Sequence, residues 1–366
     1  MTILSRLILR EILSPFAFSF LGLSGLFLVG RTFQILDPLV AAGLGIGGFL
    51  SILFLLLPPL WLYILPMAVL LGVLVGFLRL SRDSEIVAFF SLGLGPAAMM
   101  RSAIVFSVVV AMTGLSLSLF FIPLAKSATK EAIRGLTQDV AARGIPSRTF
   151  MTPFPDLTLY VHETDETGRI LTGVYLRDSR RKDLTITGMA EQGAIIAVPE
   201  DAAVALRLEN GVLNRFGADP GRSDTIFFDN YTVKFGFGDM KRSKKRGELR
   251  FSELLKVLSQ PDLSPKNRTL VLSEIHERLA LPTGILIFGI IGVPLGVFFG
   301  RTGLSGGVAI GLFVFLAYYL SFAIAKNLAE AGSLSPGLSI WLPDAVFSVA
   351  AILLVVILQK KGPLKA

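Results

Sequence analysis

Residues able to do chemistry are few in this 366-residue chain, and their spacing excludes most of it. The two histidines, His162 and His276, stand far apart and neither belongs to an H-E-x-x-H pair, so no zinc site of that kind is expected. Serines are plentiful, but no G-x-S-x-G elbow with an accompanying base is present. No G-x-x-x-x-G-K-[ST] loop exists to cradle nucleotide phosphates. Cysteine is absent, which removes disulfides, thiolate nucleophiles and cysteine-bound metals. No catalytic constellation emerges.

The informative side chains are charges beside apolar runs. Arg82, Asp83 and Glu85 open the segment Arg79 to Pro96, RLSRDSEIVAFFSLGLGP, in which Ile86, Phe89, Phe90 and Gly93 recur at i, i+3, i+4 and i+7. This spacing predicts an amphipathic helix of about three turns over about 81–93, with acids in its first turn and Gly93, Gly95 and Pro96 ending it. Between two membrane spans such a helix lies at the water interface with its charged face outward, a handle for a soluble partner. Arg31, after the first apolar run, reads either as a snorkelling anchor or as a phosphate or carboxylate clamp for an anionic amphiphile. Lys126, Lys130, Arg134 and Lys326 fall on the same side and extend the second reading. His276, Glu277 and Arg278 precede Leu281-Pro282 at the start of the fourth span, where an ionisable group needs a partner; Glu277 is expected to pair with Arg278 or Arg31. Gly289, Gly292, Gly296 and Gly300 recur on one helical face, a stripe suited to close helix packing.

These residues must be positioned by a membrane scaffold. The chain is 52% hydrophobic and 17% charged, with a mean hydropathy of +0.68, too apolar for a soluble domain. Apolar runs at about 12–29, 48–78, 97–124, 272–299, 303–325 and 338–358 have the roughly 20 residues that a helix needs to cross a bilayer. Pro58, Pro59 and Pro66 are expected to kink or break the second. Residues 125–268 form a separate domain of alternating strands, such as Leu157, Leu159 and Val161, or Leu206 and Leu208, with Asn210-Gly211 as the strongest hairpin signal. The expected organisation is a first transmembrane half at 1–124, a β domain at 125–268 and a second half at 269–366, six membrane helices with an inserted all-β, jelly-roll-like domain. The net charge of +8 is read as topology and lipid contact; nucleic acid is not an expected partner. With both termini cytoplasmic, nine basic residues of short loops and ends (Arg6, Arg10, Arg79, Arg82, Arg101, Arg301, Lys360, Lys361, Lys365) lie inside, against Arg31 and Lys326 outside. The β domain is then periplasmic.

LILREILSPF at Leu7 to Phe16, RLSRDSEIVA at Arg79 to Ala88, and HERLALP at His276 to Pro282 running into IGVPLGV resemble the LptF/LptG permease family over essentially the whole chain. DLTLYV, GVYLRD and FDNY are similar strand signatures. The resemblance implies an inner-membrane subunit of an ABC transporter that exports lipopolysaccharide. Implied partners are a paralogous permease, a cytoplasmic ATPase dimer and periplasmic LptC/LptA-like bridge proteins. No cofactor is implied for this chain; ATP and magnesium belong to the ATPase subunits. It further implies that Arg79 to Gly95 is a coupling helix, with Glu85 the first candidate to meet a basic residue of the ATPase and Arg82, Asp83 and Phe89 beside it. Arg31 matches the place where the family carries basic residues toward lipid A phosphates; Lys126 and Lys326 extend that patch by the charge reading, and Leu159, in the β domain that joins the third and fourth spans, stands for an apolar strand face expected to hold acyl chains. Two other classes stay open: a scaffold that only anchors the β domain, and a lipid-modifying enzyme.

Overall fold

The computed structural model describes residues 3–41, 46–143, 147–154, 157–165, 170–181, 184–198, 203–217, 223–236, 246–300 and 303–361. Helices run α1 Ile3–Ala41, α2 Ile46–Arg82, α3 Glu85–Ser91, α4 Pro96–Ser116, α5 Ile122–Arg143, α6 Phe251–Leu258, α7 Pro265–Phe298, α8 Gly303–Glu330 and α9 Pro336–Lys361. Strands run β1 Thr149–Phe154, β2 Leu157–Thr164, β3 Ile170–Arg181, β4 Leu184–Val198, β5 Ala203–Gly217 and β6 Ser223–Gly236. The chain folds as two compact units, one of residues 1–29, 56–126 and 245–366, the other of 30–55 and 127–244.

Six helical stretches among the described residues have the length and apolarity of membrane spans: Leu4–Phe33, Ile46–Arg82, Pro96–Ala132, Pro265–Phe298, Gly303–Glu330 and Pro336–Lys360. The third continues through a π-helical segment, Leu117–Phe121, into α5, and passes Ala125 without a break. Residues 125–143 contain no proline and hold five alanines, two lysines and two arginines, good helix formers, so water-soluble composition there extends the helix rather than starting the strands. Likewise α6, expected with the strands, belongs to the helical unit, where Leu254 packs on Val271 and Ile275 of α7.

The prolines of α2 do not break it: Pro58, Pro59 and Pro66 lie inside one continuous helix. Neighbours support the backbone there, and Tyr319 Oη donates to the Tyr63 carbonyl at 3.2 Å, next to the Leu62 carbonyl that Pro66 deprives of its amide. The central helix is α7, which contributes Ile285 and Val293 to a cluster with α1, α2 and α4, and Leu281, Phe288 and Ile291 to a second with α2, α8 and α9. Its glycine stripe lets α2 approach closely. A Cβ at Gly296 would come 2.6 Å from Phe77 Cβ and 2.7 Å from the Leu74 carbonyl, and one at Gly292 3.0 Å from Val73 Cβ.

The six strands pair antiparallel in chain order, β1-β2-β3-β4-β5-β6. Only two to five residues separate consecutive strands, enough for a hairpin and too few for a crossover. The described strands are therefore an up-and-down meander and not the crossed order of a jelly roll. Asn210-Gly211 is not a hairpin turn either, because β5 runs straight through it. The registers Ala190↔Gly211 and Gln192↔Glu209 place Asn210 opposite Glu191, and by the same arithmetic His162, Gly173, Glu191, Asn210 and Asp229 form one row across β2 to β6. Gly173 and Asn210 on this row have left-handed φ of 65° and 53°. Inward-facing positions change parity there: Leu171 then Val174 and Leu176 on β3, Leu206 and Leu208 then Leu213 on β5. An aligned extra residue in neighbouring strands creases the sheet while keeping the apolar face of both halves on one side. Leu157, Leu159, Val161, Leu171, Val174, Leu176, Leu206, Leu208 and Val233 form a single core across it.

Candidate functional site

The interfacial segment is shorter than its pattern implies. Arg82 is the last residue of α2, Asp83 is in the turn, and Ser84 adopts a left-handed φ of 60°, so the α-helix begins only at Glu85 and ends at Ser91. A residue held at positive φ cannot propagate a right-handed helix, which is why the expected start at about 81 moves to 85. The apolar face is as the spacing implies: Ile86 is fully buried, and Phe89 and Phe90 pack half-buried on the α1/α2/α4 cluster. At the far end Gly93 takes φ 77°, Leu92 stays exposed, and Pro96 opens α4. A rigid two-turn element is thus stapled to the bundle, with Arg82 and Asp83 on its rim in a loose ion pair at 4.0 Å. Glu85 is half-buried, and its Oε2 has no hydrogen-bond partner among the described residues. That unpaired oxygen is buried, so the carboxylate keeps unused acceptor capacity.

A second cluster lies elsewhere in the same unit, lining a cavity of about 110 Å³ with Pro59, Tyr63, Ser118, Lys126, Glu274, Glu277, Arg278 and Lys326. Lys126 and Lys326, singled out by charge alone, do converge here. Lys326 is already neutralised, its Nζ lying 2.8 Å from the Glu277 carboxylate, to which Tyr63 Oη also donates at 3.4 Å. Glu277 thus pairs with Lys326, and the expected pairing with its neighbour Arg278 does not occur. Adjacent residues on a helix diverge by about 100°, so Arg278 turns instead to Glu274, one turn back, at 2.9 Å. Arg278, only 4% exposed, also donates to the Leu249 and Arg246 carbonyls at 2.8 and 3.2 Å. It ties the segment before α6 to α7 and is spent on structure. Lys126 Nζ sits against Gly247, where a Cβ would come within 2.6 Å of it.

Arg31 is exposed on α1, inside the helix and not after its end, in the unit that also holds the strands. The Arg134 side chain, like residues 241–245 of the basic run before α6, lies outside the described residues. Leu159, 2% exposed, is in the core of the sheet. Sequence reasoning missed one buried polar pair: Tyr318 Oη donates to Asp344 Oδ1 at 2.6 Å, and Asp344 is 3% exposed with its other oxygen unpaired among the described residues. The available signal was one acid within the otherwise apolar run of α9.

No group of three or more metal-ligating side chains occurs among the described residues. What the fold defines is a polytopic membrane protein with six helices long and apolar enough to span a bilayer among the described residues, carrying an antiparallel β insert. Residues 6–356 match the family described as Lipopolysaccharide export system permease LptF/LptG, and the chain belongs to that family. A comparison with curated proteins returns no match.

Proposed function

We propose that this chain is one permease of the inner-membrane ABC transporter that extracts lipopolysaccharide and passes it, through its β domain, to LptC/LptA-like bridge proteins. It pairs with a paralogous permease and is driven by a cytoplasmic ATPase dimer that holds ATP and magnesium; the chain itself binds no cofactor. The termini and α3 face the cytoplasm and the strands face the periplasm, an orientation supported by the distribution of basic loop residues. The observation that carries the reading, beyond family membership, is α3: a short helix fixed by Ile86, Phe89 and Phe90 with the Glu85 carboxylate short of a partner. Closure of an ATPase dimer has to reach the spans through such a rigid element. Glu85 is assigned to meet a basic ATPase residue, Arg82 and Asp83 to the rim of that contact, and Phe89 to anchoring the helix.

On the periplasmic side Lys126 and Lys326, which share one cavity, are assigned to lipid phosphate, and Arg31 separately so. Because Glu277 holds Lys326 at 2.8 Å, a phosphate must displace that carboxylate to use the ammonium. Acyl chains are assigned to the apolar face of the creased sheet, with Leu159 and its neighbours. Co-purification tests the coupling role. ATPase subunits should stay with the wild-type permease pair and be lost with Glu85→Arg; retention of both at equal stoichiometry would remove α3 from the interface.

A further inference from the structure

The α3 end of the helical unit contains a larger cavity, about 630 Å³, of whose lining the transport reading uses only Arg82. It lies about 24 Å along α2 from Tyr63, sixteen residues away. Its walls are Arg10, Glu11, Ser14, Pro15, Phe18 and Ser19 of α1, the last turns of α2 with Arg79 and Arg82, and the start of α8 at Gly303 and Leu304.

The charges do not cancel. Three arginines face one carboxylate, Glu11, which lies 3.4 Å from Arg79. Asp83 adds only long contacts, 3.9 Å to Arg79 and 4.0 Å to Arg82. Arg10 has no ion-pair partner among the described residues and is exposed. Guanidinium groups with spare donors in a concave site suit the paired oxygens of a phosphate. Below the arginines the surface becomes apolar. Arg10, Ser14, Phe18 and Leu21 follow one face of α1 over about 16 Å, and Phe18 and Leu21 are 78% and 68% exposed. A polar mouth at the end of a span, continued by an apolar stripe along that span, has the division of a phospholipid: phosphate at the helix end, acyl chain along the helix.

We propose that this cavity binds an anionic phospholipid of the leaflet nearest α3, its phosphate on Arg10, Arg79 and Arg82 and one acyl chain along Phe18 and Leu21. The site belongs to a membrane lipid and not to exported substrate. Basic cavities between spans at the membrane surface select anionic head groups in this way.

Native mass spectrometry of the full-length chain, titrated with phosphatidylglycerol, phosphatidylethanolamine of the same acyl chains, or glycerol 3-phosphate, tests it. Phosphatidylglycerol should be retained preferentially, Arg10→Gln should weaken it about fivefold, and Phe18→Ser should weaken both lipids. Arg101→Gln, a change in an exposed arginine outside the cavity, should leave retention within twofold. Both Arg10 and Phe18 are exposed, so unchanged thermal unfolding certifies the variants. Equal retention of the two lipids, an equal loss with Arg101→Gln, or glycerol 3-phosphate binding as tight as phosphatidylglycerol would each overturn the proposal; the last would make it a free-anion site.

Discussion

Lys326 and Glu277 form an asymmetric pair, and the asymmetry predicts which partner is worse to lose. At 2.8 Å, with an effective dielectric of about 20, the attraction is about 6 kcal/mol before desolvation of both groups is subtracted. The Glu277 side chain is 12% exposed and the Lys326 side chain 34%. Removing the lysine with Lys326→Met strands a buried carboxylate whose remaining partner is Tyr63 at 3.4 Å. The expected cost is about 2–3 kcal/mol, below the 3–5 of a fully buried pair because water reaches Lys326. Glu277→Gln leaves an ammonium that can turn to water, and should cost about 1 kcal/mol. The double variant should fall short of the sum by about 1–2 kcal/mol. Reversible unfolding in mixed detergent–SDS micelles reads all three, with Trp341, bonded to His276 at 3.2 Å, as a nearby fluorophore. Additive effects, or a Glu277→Gln cost equal to or above that of Lys326→Met, would refute the reasoning.

Gly296→Val should destabilise the α2/α7 contact by about 1–3 kcal/mol in the same unfolding assay, since even a Cβ lies 2.6 Å from Phe77; Gly22→Ala, with open space around it, should not. Tyr318→Phe should cost about 1–3 kcal/mol by leaving the Asp344 carboxyl without its donor, and adding Asp344→Leu should recover part of the loss; no recovery would mean that the pair is not the source. In the assembled transporter, photoreactive residues at Leu159 or half-buried Phe228 should crosslink lipopolysaccharide in the presence of ATP, and their silence would count against acyl chains on the sheet's apolar face.

Local patterns were legible and distant partners were not. The apolar face of α3 follows from i, i+3, i+4 spacing, and Ile86, Phe89 and Phe90 take it. Its start did not follow, because nothing in the residue types announces a left-handed Ser84. Asn210-Gly211 carries a true conformational signal, positive φ at Asn210, that its place between alternating runs assigned to a turn; the flanking strands are long enough to use it as a crease. The glycine stripe of α7 was read correctly as packing, and its partner face on α2 appeared only in three dimensions. Glu277 and Lys326 are 49 residues apart, and sequence offered Arg278 as the nearer cation although helical geometry turns it away. Prolines that break a soluble helix left α2 intact because neighbouring helices enclose it.

The central claim is that this permease couples ATP hydrolysis by its partners to lipopolysaccharide movement through α3. The most direct measurement is ATP-dependent release of lipopolysaccharide from proteoliposomes of the full complex, comparing wild type with Glu85→Ala. Release should collapse with the permeases still folded and inserted. Release at the wild-type rate would contradict the account and leave half-buried Glu85 with no part in coupling.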